Sequence, residues 1–268
     1  MKDLLIAEIE RFTAQYQTEN RTTTAWATPI VGCADAEDPL FKVLKRVVSP
    51  AHLLPQELLP TAKTVIAFFL PFEKQVATSN IEGVSASRQW VLAYVETNRL
   101  IVALGEHMRG FLEARNYQVE TTPATHNFDE QRLISDWSHR HIGYVAGLGN
   151  FGVNNMMITE RGCCGRIGSF VTDLSVAADQ RPNHEACLYR YDSSCLKCVD
   201  RCVNAALFRD RFDRRNCYEM CLQNEDRFKG IGKADVCGKC LVGLPCSFTN
   251  PVKSKSRSGS SDPQRGNE

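Results

Sequence analysis

The chain has 268 residues, enough for one large domain or two modest ones with a sizeable hydrophobic core. Its 32 Lys and Arg nearly balance 31 Asp and Glu, which excludes the strongly basic footprint of a dedicated nucleic-acid-binding protein. The 12 cysteines are more than an ordinary intracellular protein carries and fewer than a small disulfide scaffold needs. Cysteine use is therefore the compositional feature that needs an explanation.

The first residues, MKDLLIAEIERF, predict an amphipathic helix and not a secretory signal, because charged residues interrupt every apolar run. No uncharged apolar run approaches the roughly 20 residues that a membrane-spanning helix requires. We therefore expect a cytoplasmic protein without a membrane partner. In that compartment thiols stay reduced, and crowded cysteines more often bind metal than form disulfides.

The next elements in chain order alternate between helices and strands. The prolines between 39 and 60 favour short helices broken at Pro50 and Pro55. A continuous β-branched and aromatic run predicts a strand over 64–70 that is buried on both faces, and apolar residues at three- and four-residue steps predict a long helix over 90–112. Further strands are predicted over 117–121, 156–159 and 167–172.

These elements predict three regions. Residues 1–180 should form one layered domain of mixed α/β (α+β) class. The cysteine-rich residues 181–251 should form a small second domain. The residues after Val252 include no apolar side chain, which predicts a disordered tail over 252–268.

The segment 135–152 concentrates ionisable residues before a glycine turn. Asp136, His139 and His141 are candidate proton donors, because reduction of an organic substrate consumes protons and histidine titrates near neutral pH. The alternative is a structural helix in which Trp137 and His141 pack inward, while His139 and Arg140 face solvent.

Three glycines close this segment, at Gly147, Gly149 and Gly152. Glycine suits a sharp turn or the close approach of a backbone to a flat cofactor. The spacing resembles a dinucleotide-binding fingerprint, but the following residues favour a strand where that motif needs a helix.

A second glycine-bounded segment, 162–166, contains two adjacent cysteines. It favours a tight turn, and a redox or cofactor-facing role is the alternative. Arg161 and Arg166 could hold a phosphate or an amide edge of a cofactor, or they could simply be solvated.

Nine of the cysteines lie between 187 and 246. The spacing Cys195-x2-Cys198-x3-Cys202 is typical of iron–sulfur ligation, in which three thiolates from one loop are joined by a remote fourth. A second group, Cys237-x2-Cys240-x5-Cys246, begins in the same way.

Two alternatives compete with iron–sulfur ligation. A zinc ribbon would pair Cys195 and Cys198 with Cys237 and Cys240, and it would leave Cys202, Cys217 and Cys246 unused. Disulfides or unliganded thiols are the other possibility. Eight spaced thiols match two four-cysteine clusters better than one tetrahedral ion.

The order of these cysteines resembles the ferredoxin-like C-terminal domain of epoxyqueuosine reductase, whose family belongs with the reductive dehalogenases. The resemblance extends upstream to 58–72, to the glycine turn at 146–152 and to 166–174. It implies an N-terminal domain of mixed class followed by a small ferredoxin-like domain that holds two [4Fe–4S] clusters.

The resemblance also implies which cysteines hold each cluster. The usual first cysteine falls at Asp192 in this chain, and Cys187 is the nearest replacement. The first set then comprises Cys187, Cys195, Cys198 and Cys246, and the second set comprises Cys202, Cys217, Cys237 and Cys240. Cys221, one helical turn after Cys217, is expected to be a spare thiol.

The function that the resemblance implies is reduction of a substrate, either directly or through cobalamin lying against the glycine turn. A carboxylate upstream of that turn would be the acid, and both Asp129 and Asp136 qualify. The substrate would be a small molecule or a tRNA-borne group, and a reduced ferredoxin or flavodoxin would donate electrons. The competing interpretations are a non-catalytic electron-transfer protein and a zinc-stabilised binding module.

Overall fold

The structure is a computed structural model that describes residues 1–259. Its helices within that range are α1 (Lys2–Glu19), α2 (Leu40–Val47), α3 (Pro55–Leu58), α4 (Lys74–Ser79), α5 (Arg88–Glu113), α6 (His139–Val145), α7 (Leu188–Asp192), α8 (Lys197–Asp200), α9 (Arg214–Arg227) and α10 (Pro251–Gly259), with a 3-10 turn at Lys239–Leu241. Its strands are β1 (Ile30–Asp35), β2 (Thr64–Pro71), β3 (Val119–Thr121), β4 (Gly149–Phe151), β5 (Met157–Thr159) and β6 (Gly165–Thr172).

The main sheet has the order β1-β2-β6-β3, and every neighbouring pair of strands is antiparallel. The predicted mixture of strands and helices is confirmed, and the antiparallel pairing makes the fold α+β. All eight residues of β2 are buried, as the continuous apolar run predicts. A strand at the centre of an antiparallel sheet shows this pattern when both faces of the sheet are covered.

Alternate residues of β2 pack into two separate cores. Ile66 and Phe68 face the core that contains the long helix α5, whereas Val65 and Phe69 face the core that contains α6 and α2. The side chain of Ser87 caps α5 by accepting a hydrogen bond from the Trp90 amide at 3.1 Å. The sheet is therefore a middle layer between helices.

The cysteine-rich residues continue the larger of these cores. Ala234, Leu241 and Val242 are buried in the same cluster as Trp90 of α5. A smaller cluster beside it is formed by Cys198, Leu207 and Leu244. Apolar packing therefore crosses residue 180, and the ferredoxin-like character of residues 181–251 stays a prediction.

The prediction of a disordered tail is wrong for residues 252–259, which belong to α10. Asn250 caps this helix by accepting a hydrogen bond from the Lys253 amide at 3.2 Å, Pro251 occupies its first position and Val252 is buried. The cap, the proline and the buried side chain of Val252 stabilise a helix here although the composition is polar. The remaining residues of the predicted tail, 260–268, lie outside the described residues.

Across residues 1–259, no helix has both the length and the apolar character that crossing a membrane would require.

Candidate metal centre

A cavity beside the small cysteine cluster is lined by all four thiol-bearing residues of the first set. The space between its walls that protein atoms do not fill is about 330 Å³, and this figure includes open solvent. The remainder of its wall is formed by Gly152, Val153, Asn154, Ile158, Leu188, Leu244, Pro245 and Pro251. We call this space the cysteine cavity.

Short local structures place these thiols around the cavity. Cys187 precedes the first turn of α7, Cys195 and Cys198 flank the start of α8, and Cys246 follows the 3-10 turn. Burial, and after it the nearby thiols of Cys246, Cys187 and Cys195, raise the pKa of Cys198 to about 12. The four thiols are therefore close enough to interact electrostatically while surrounding a common space.

Asp192, which stands where the resembled family has a cysteine, makes contacts outside the cavity wall. Its carboxylate pairs with Lys255 of α10 and accepts a hydrogen bond from the Ser194 amide at 3.0 Å. The Lys255 contact holds the pKa of Asp192 at about 2. Cys187, by contrast, lines the cavity.

In the second set, Cys240 belongs to the 3-10 turn and lies close enough to the other three thiols to interact with them electrostatically. Burial raises the pKa of Cys240 well above its usual range, and the thiols of Cys237, Cys217 and Cys202 raise it further. The sulfur of Cys202 accepts hydrogen bonds from the backbone amides of Ala206 and Leu207, both at 3.3 Å.

Cys221 stands one turn after Cys217 on α9. Contact with Cys217 raises the pKa of Cys221 well above its usual range, and the same contact lowers the pKa of Cys217. A thiol that donates to its neighbour in this way fits the expected role of Cys221 as a companion rather than a ligand.

A zinc ribbon would gather Cys195, Cys198, Cys237 and Cys240 around one ion, whereas the cavity beside Cys195 and Cys198 is lined by Cys187 and Cys246 and not by Cys237 or Cys240. Within the described part of the chain, no three His, Cys, Asp or Glu side chains are arranged to hold a single metal ion. The ligands of an iron–sulfur cluster bind different iron atoms, so they surround a wider space than the ligands of one ion. The four cysteines of the first set line one cavity, and their role as cluster ligands stays a prediction.

The adjacent cysteines Cys163 and Cys164 follow a tight turn, as the sequence favours. Thr159 and Gly162 exchange two backbone hydrogen bonds of 3.0 Å, and Gly162 has φ +76°. The Cys163 amide then donates to the Cys246 carbonyl at 3.0 Å. This hydrogen bond therefore connects the residues just before β6 to Cys246, which lines the cysteine cavity.

Asp136, a candidate acid, is hydrogen-bonded to His126, a residue that no sequence pattern singled out. Its carboxylate contacts His126 Nδ1 at 2.5 Å and accepts from Asn127 at 2.8 Å. Both members of the pair are partly exposed. Asp129, the other candidate, instead accepts hydrogen bonds from the Gln131 and Arg132 amides at 2.9 Å, which makes it a turn-forming residue.

The two candidate histidines lie on α6. His139 is buried, with Nδ1 at 2.8 Å from Ser169 Oγ and Nε2 at 2.8 Å from the Pro123 carbonyl oxygen. Burial lowers the pKa of His139 to about 4 and also lowers the pKa of His141 to about 4. Both rings are therefore neutral at pH 7, and both nitrogens of His139 have internal partners.

The alternative helix reading, with His139 and Arg140 facing solvent, is wrong. The helix begins at His139, so the four-residue step from Trp137 does not apply. Trp137 and His139 are both buried, and Arg140 is half-buried with Nη1 donating to the Asn155 carbonyl at 2.7 Å.

The glycines after α6 are explained by the chain's own packing. A side chain at Gly147 would stand 2.9 Å from the Gln180 carbonyl oxygen, and one at Gly149 would stand 2.2 Å from the Ile158 carbonyl oxygen. Backbone fills the side on which each of these glycines would carry a Cβ, and the cofactor-binding role of Gly147 and Gly149 stays a prediction. Gly152 is different, because it lines the cysteine cavity.

Arg166 lies on β6 with its guanidinium 4.2 Å from the centre of the Tyr94 ring. Its Nε is buried and has no hydrogen-bond partner among residues 1–259. This stacked geometry is not that of a solvated surface arginine, and the predicted role of Arg166 in binding a cofactor stays a prediction. Arg161 instead belongs to the turn at 159–162.

No protein-family model matches the sequence, and no curated protein matches it. Solved structures do. Epoxyqueuosine reductase from Bacillus subtilis matches with a TM-score of 0.55 and 17% identity, covering 90% of this chain and 66% of that chain. The enzyme from Streptococcus thermophilus matches with a TM-score of 0.52 at the same identity and coverage.

A catabolic reductive dehalogenase in complex with 3-bromo-4-hydroxybenzoic acid matches with a TM-score of 0.53 and 17% identity, covering 86% of this chain and 31% of that chain. The chain thus spans just under two thirds of the epoxyqueuosine reductases and less than a third of the dehalogenase. The likeness shows a shared fold, and it agrees with the resemblance found in the sequence.

Proposed function

We propose that the chain is an iron–sulfur oxidoreductase with two [4Fe–4S] clusters, one held by the first set of cysteines and one by the second. The observation that carries this proposal is the cysteine cavity, whose wall includes Cys187, Cys195, Cys198 and Cys246. Three of these thiols are close in sequence and the fourth is remote, which is the pattern that cluster ligation uses.

The surroundings of the thiols support the proposal. The cavity wall apart from the cysteines is largely apolar, and an apolar wall limits the access of water to a cluster. The raised pKa values of Cys198 and Cys237 mean that these thiols are protonated without metal, so cluster binding displaces protons. The bound clusters supply one-electron transfer.

The acceptor of those electrons would be a substrate or cobalamin in the region of residues 1–180. The pair Asp136–His126 is the best placed candidate for moving a proton there, because it is hydrogen-bonded and partly exposed. The proposed position for a corrin is the glycine turn that contains Gly147 and Gly149. A reduced ferredoxin or flavodoxin is the proposed donor.

The solved structures supply two precedents for the substrate. One is epoxyqueuosine reductase with an epoxyqueuosine-modified tRNA stem loop, and the other is a dehalogenase with a halogenated hydroxybenzoic acid. For this chain we propose an organic substrate, either a small molecule or a tRNA-borne group.

Anaerobic purification followed by metal analysis tests the proposal. We expect a brown protein with about eight iron atoms per chain, four for each cluster. Its broad visible absorption should bleach on reduction with dithionite. A colourless protein with stoichiometric zinc would overturn the proposal.

Addition of cobalamin to the reduced protein identifies the acceptor. A change in the corrin spectrum would put cobalamin on the electron path. An unchanged spectrum would leave the substrate itself, or a partner enzyme served by a non-catalytic electron carrier, as the acceptor.

A further inference from the structure

Each of the two Cys-x-x-Cys loops has a lysine directly before its second cysteine, and the two lysines differ in burial. Lys197 stands before Cys198, and Lys239 stands before Cys240. Lys197 is exposed, whereas Lys239 is only 1% exposed. Lysine is almost never fully buried without a compensating partner.

The buried amine of Lys239 is held by backbone carbonyls alone. Its Nζ donates to the carbonyl oxygens of Asn80 at 2.9 Å and Glu82 at 2.7 Å. A second cation lies beside it: Arg201 donates from Nη2 to the Ile81 carbonyl at 2.6 Å and from Nε to the Lys239 carbonyl at 3.1 Å.

No carboxylate among residues 1–259 forms an ion pair with Lys239 or Arg201. The side chain of Glu82 is exposed, and Asp235 accepts a hydrogen bond from the Tyr94 hydroxyl at 2.7 Å. Each cation donates two hydrogen bonds to carbonyl oxygens, and these oxygens carry no net charge that could neutralise it. Withdrawing charge from water without a counter-charge is costly.

Thiols of the second set lie next to both cations in the chain, and the carboxylate of Asp200, which precedes Arg201, is exposed. Lys239 lies between Cys237 and Cys240, and Arg201 immediately precedes Cys202. The cysteine cavity of the first set, in contrast, has no Lys or Arg in its wall. The two sets therefore differ in fixed charge although their spacing is alike.

We propose that Lys239 and Arg201 are fixed counter-charges for the second set, and that they make the cluster held there the easier of the two to reduce. This inference rests on the proposed function. A cluster with four thiolate ligands is negatively charged and becomes more so when it accepts an electron. Positive charge held nearby in a medium of low dielectric constant therefore favours the reduced form.

A redox titration of the anaerobically purified protein, followed by electron paramagnetic resonance, tests this inference. The wild-type protein should show two midpoint potentials. Lys239→Gln should lower the higher one by a tenfold or greater change in the equilibrium constant for reduction, which is about 59 mV for one electron. Lys239→Arg should restore it, since the charge is kept.

Lys197→Gln is the matched control, because the same change is made at the same loop position on an exposed side chain. It should leave both potentials unchanged, since solvent screens an exposed charge. Arg201→Gln should lower the same potential as Lys239→Gln and serves in its place if that variant does not fold.

Three results would overturn the inference: two indistinguishable midpoints in the wild-type protein, a Lys239→Gln variant with full iron content and unchanged potentials, or equal shifts in Lys239→Gln and Lys197→Gln. The wild-type measurement needs no variant. A wild-type protein without iron would instead overturn the proposed function, so the two failures are distinguishable.

Discussion

The two Cys-x-x-Cys loops have the same spacing, but their surroundings are different. In the first loop, Leu196 has an ordinary φ of −132°, and the loop borders the cysteine cavity. In the second loop, Gly238 has φ +71° and the ring of Trp90 lies directly against it. One loop therefore borders an open cavity and the other is enclosed.

This difference teaches that spacing and environment are set by different parts of the sequence. The spacing within each loop brings the thiols together. The environment of the second loop comes from residues 80–87 and from α5, which are distant in the chain. A motif can therefore be duplicated while its electrostatic setting is not.

The largest expected effect concerns the first loop alone. Cys187→Ala should remove one of the two clusters and leave about half of the iron, because the second set is intact. Iron analysis of the anaerobically purified variant measures it, and Cys221→Ala, which removes a thiol outside both sets, should keep the full iron content. Full iron in Cys187→Ala would show that Cys187 is not a ligand.

The next effect is the steric demand of the second loop. Gly238→Ala should lower the free energy of unfolding by about 2–4 kcal/mol, since the added methyl group meets a buried ring and the backbone is left-handed. An ideal Cβ there would stand 2.3 Å from Nε1 of Trp90. Denaturant unfolding measures the change.

The matched change in the first loop is Leu196→Ala. It should cost about 1 kcal/mol or less, because Leu196 is only half-buried. Equal losses in Gly238→Ala and Leu196→Ala would contradict the contrast between an open and an enclosed loop.

A smaller effect should follow from removing contacts between residues 80–87 and the second loop. Asn80 is fully buried, donates to the Cys237 carbonyl at 2.9 Å and accepts from the Ser87 amide at 2.9 Å. Asn80→Ala should cost about 2–3 kcal/mol of unfolding free energy, because two buried backbone groups lose their partners.

Asn183→Ala is the control for this change, since Asn183 is exposed, and it should alter the unfolding free energy by about 0.5 kcal/mol or less. A loss in Asn80→Ala no larger than in this control would show that the segment does not hold the loop.

Much of the fold was predictable from local patterns. The apolar run at 64–70 predicted β2, and the helical periodicity at 90–112 predicted α5, because both elements bury wide, regular surfaces. Which side chains of α6 face the core was not predictable from spacing, because the helix begins only at His139. A helix of seven residues without a side-chain cap at its first turn leaves too weak a pattern.

The candidate site was predictable in part for a similar reason. The cysteine spacing and the family resemblance together selected Cys187, Cys195, Cys198 and Cys246, which line one cavity. The contact between His126 and Asp136 was not predicted, because a loop, and not the regular spacing of a helix or strand, brings the two residues together. Lys197 and Lys239 are alike in sequence, and only tertiary packing separates them.

The composition of the cavity wall has a consequence for the order of assembly in the cell. The wall draws on Gly152, on Cys187 and on Pro251, so it exists only after segments far apart in the chain have met. Folding must bring these three segments together before the cavity is complete. Under the proposed function, iron and sulfide bind at this cavity only after that step.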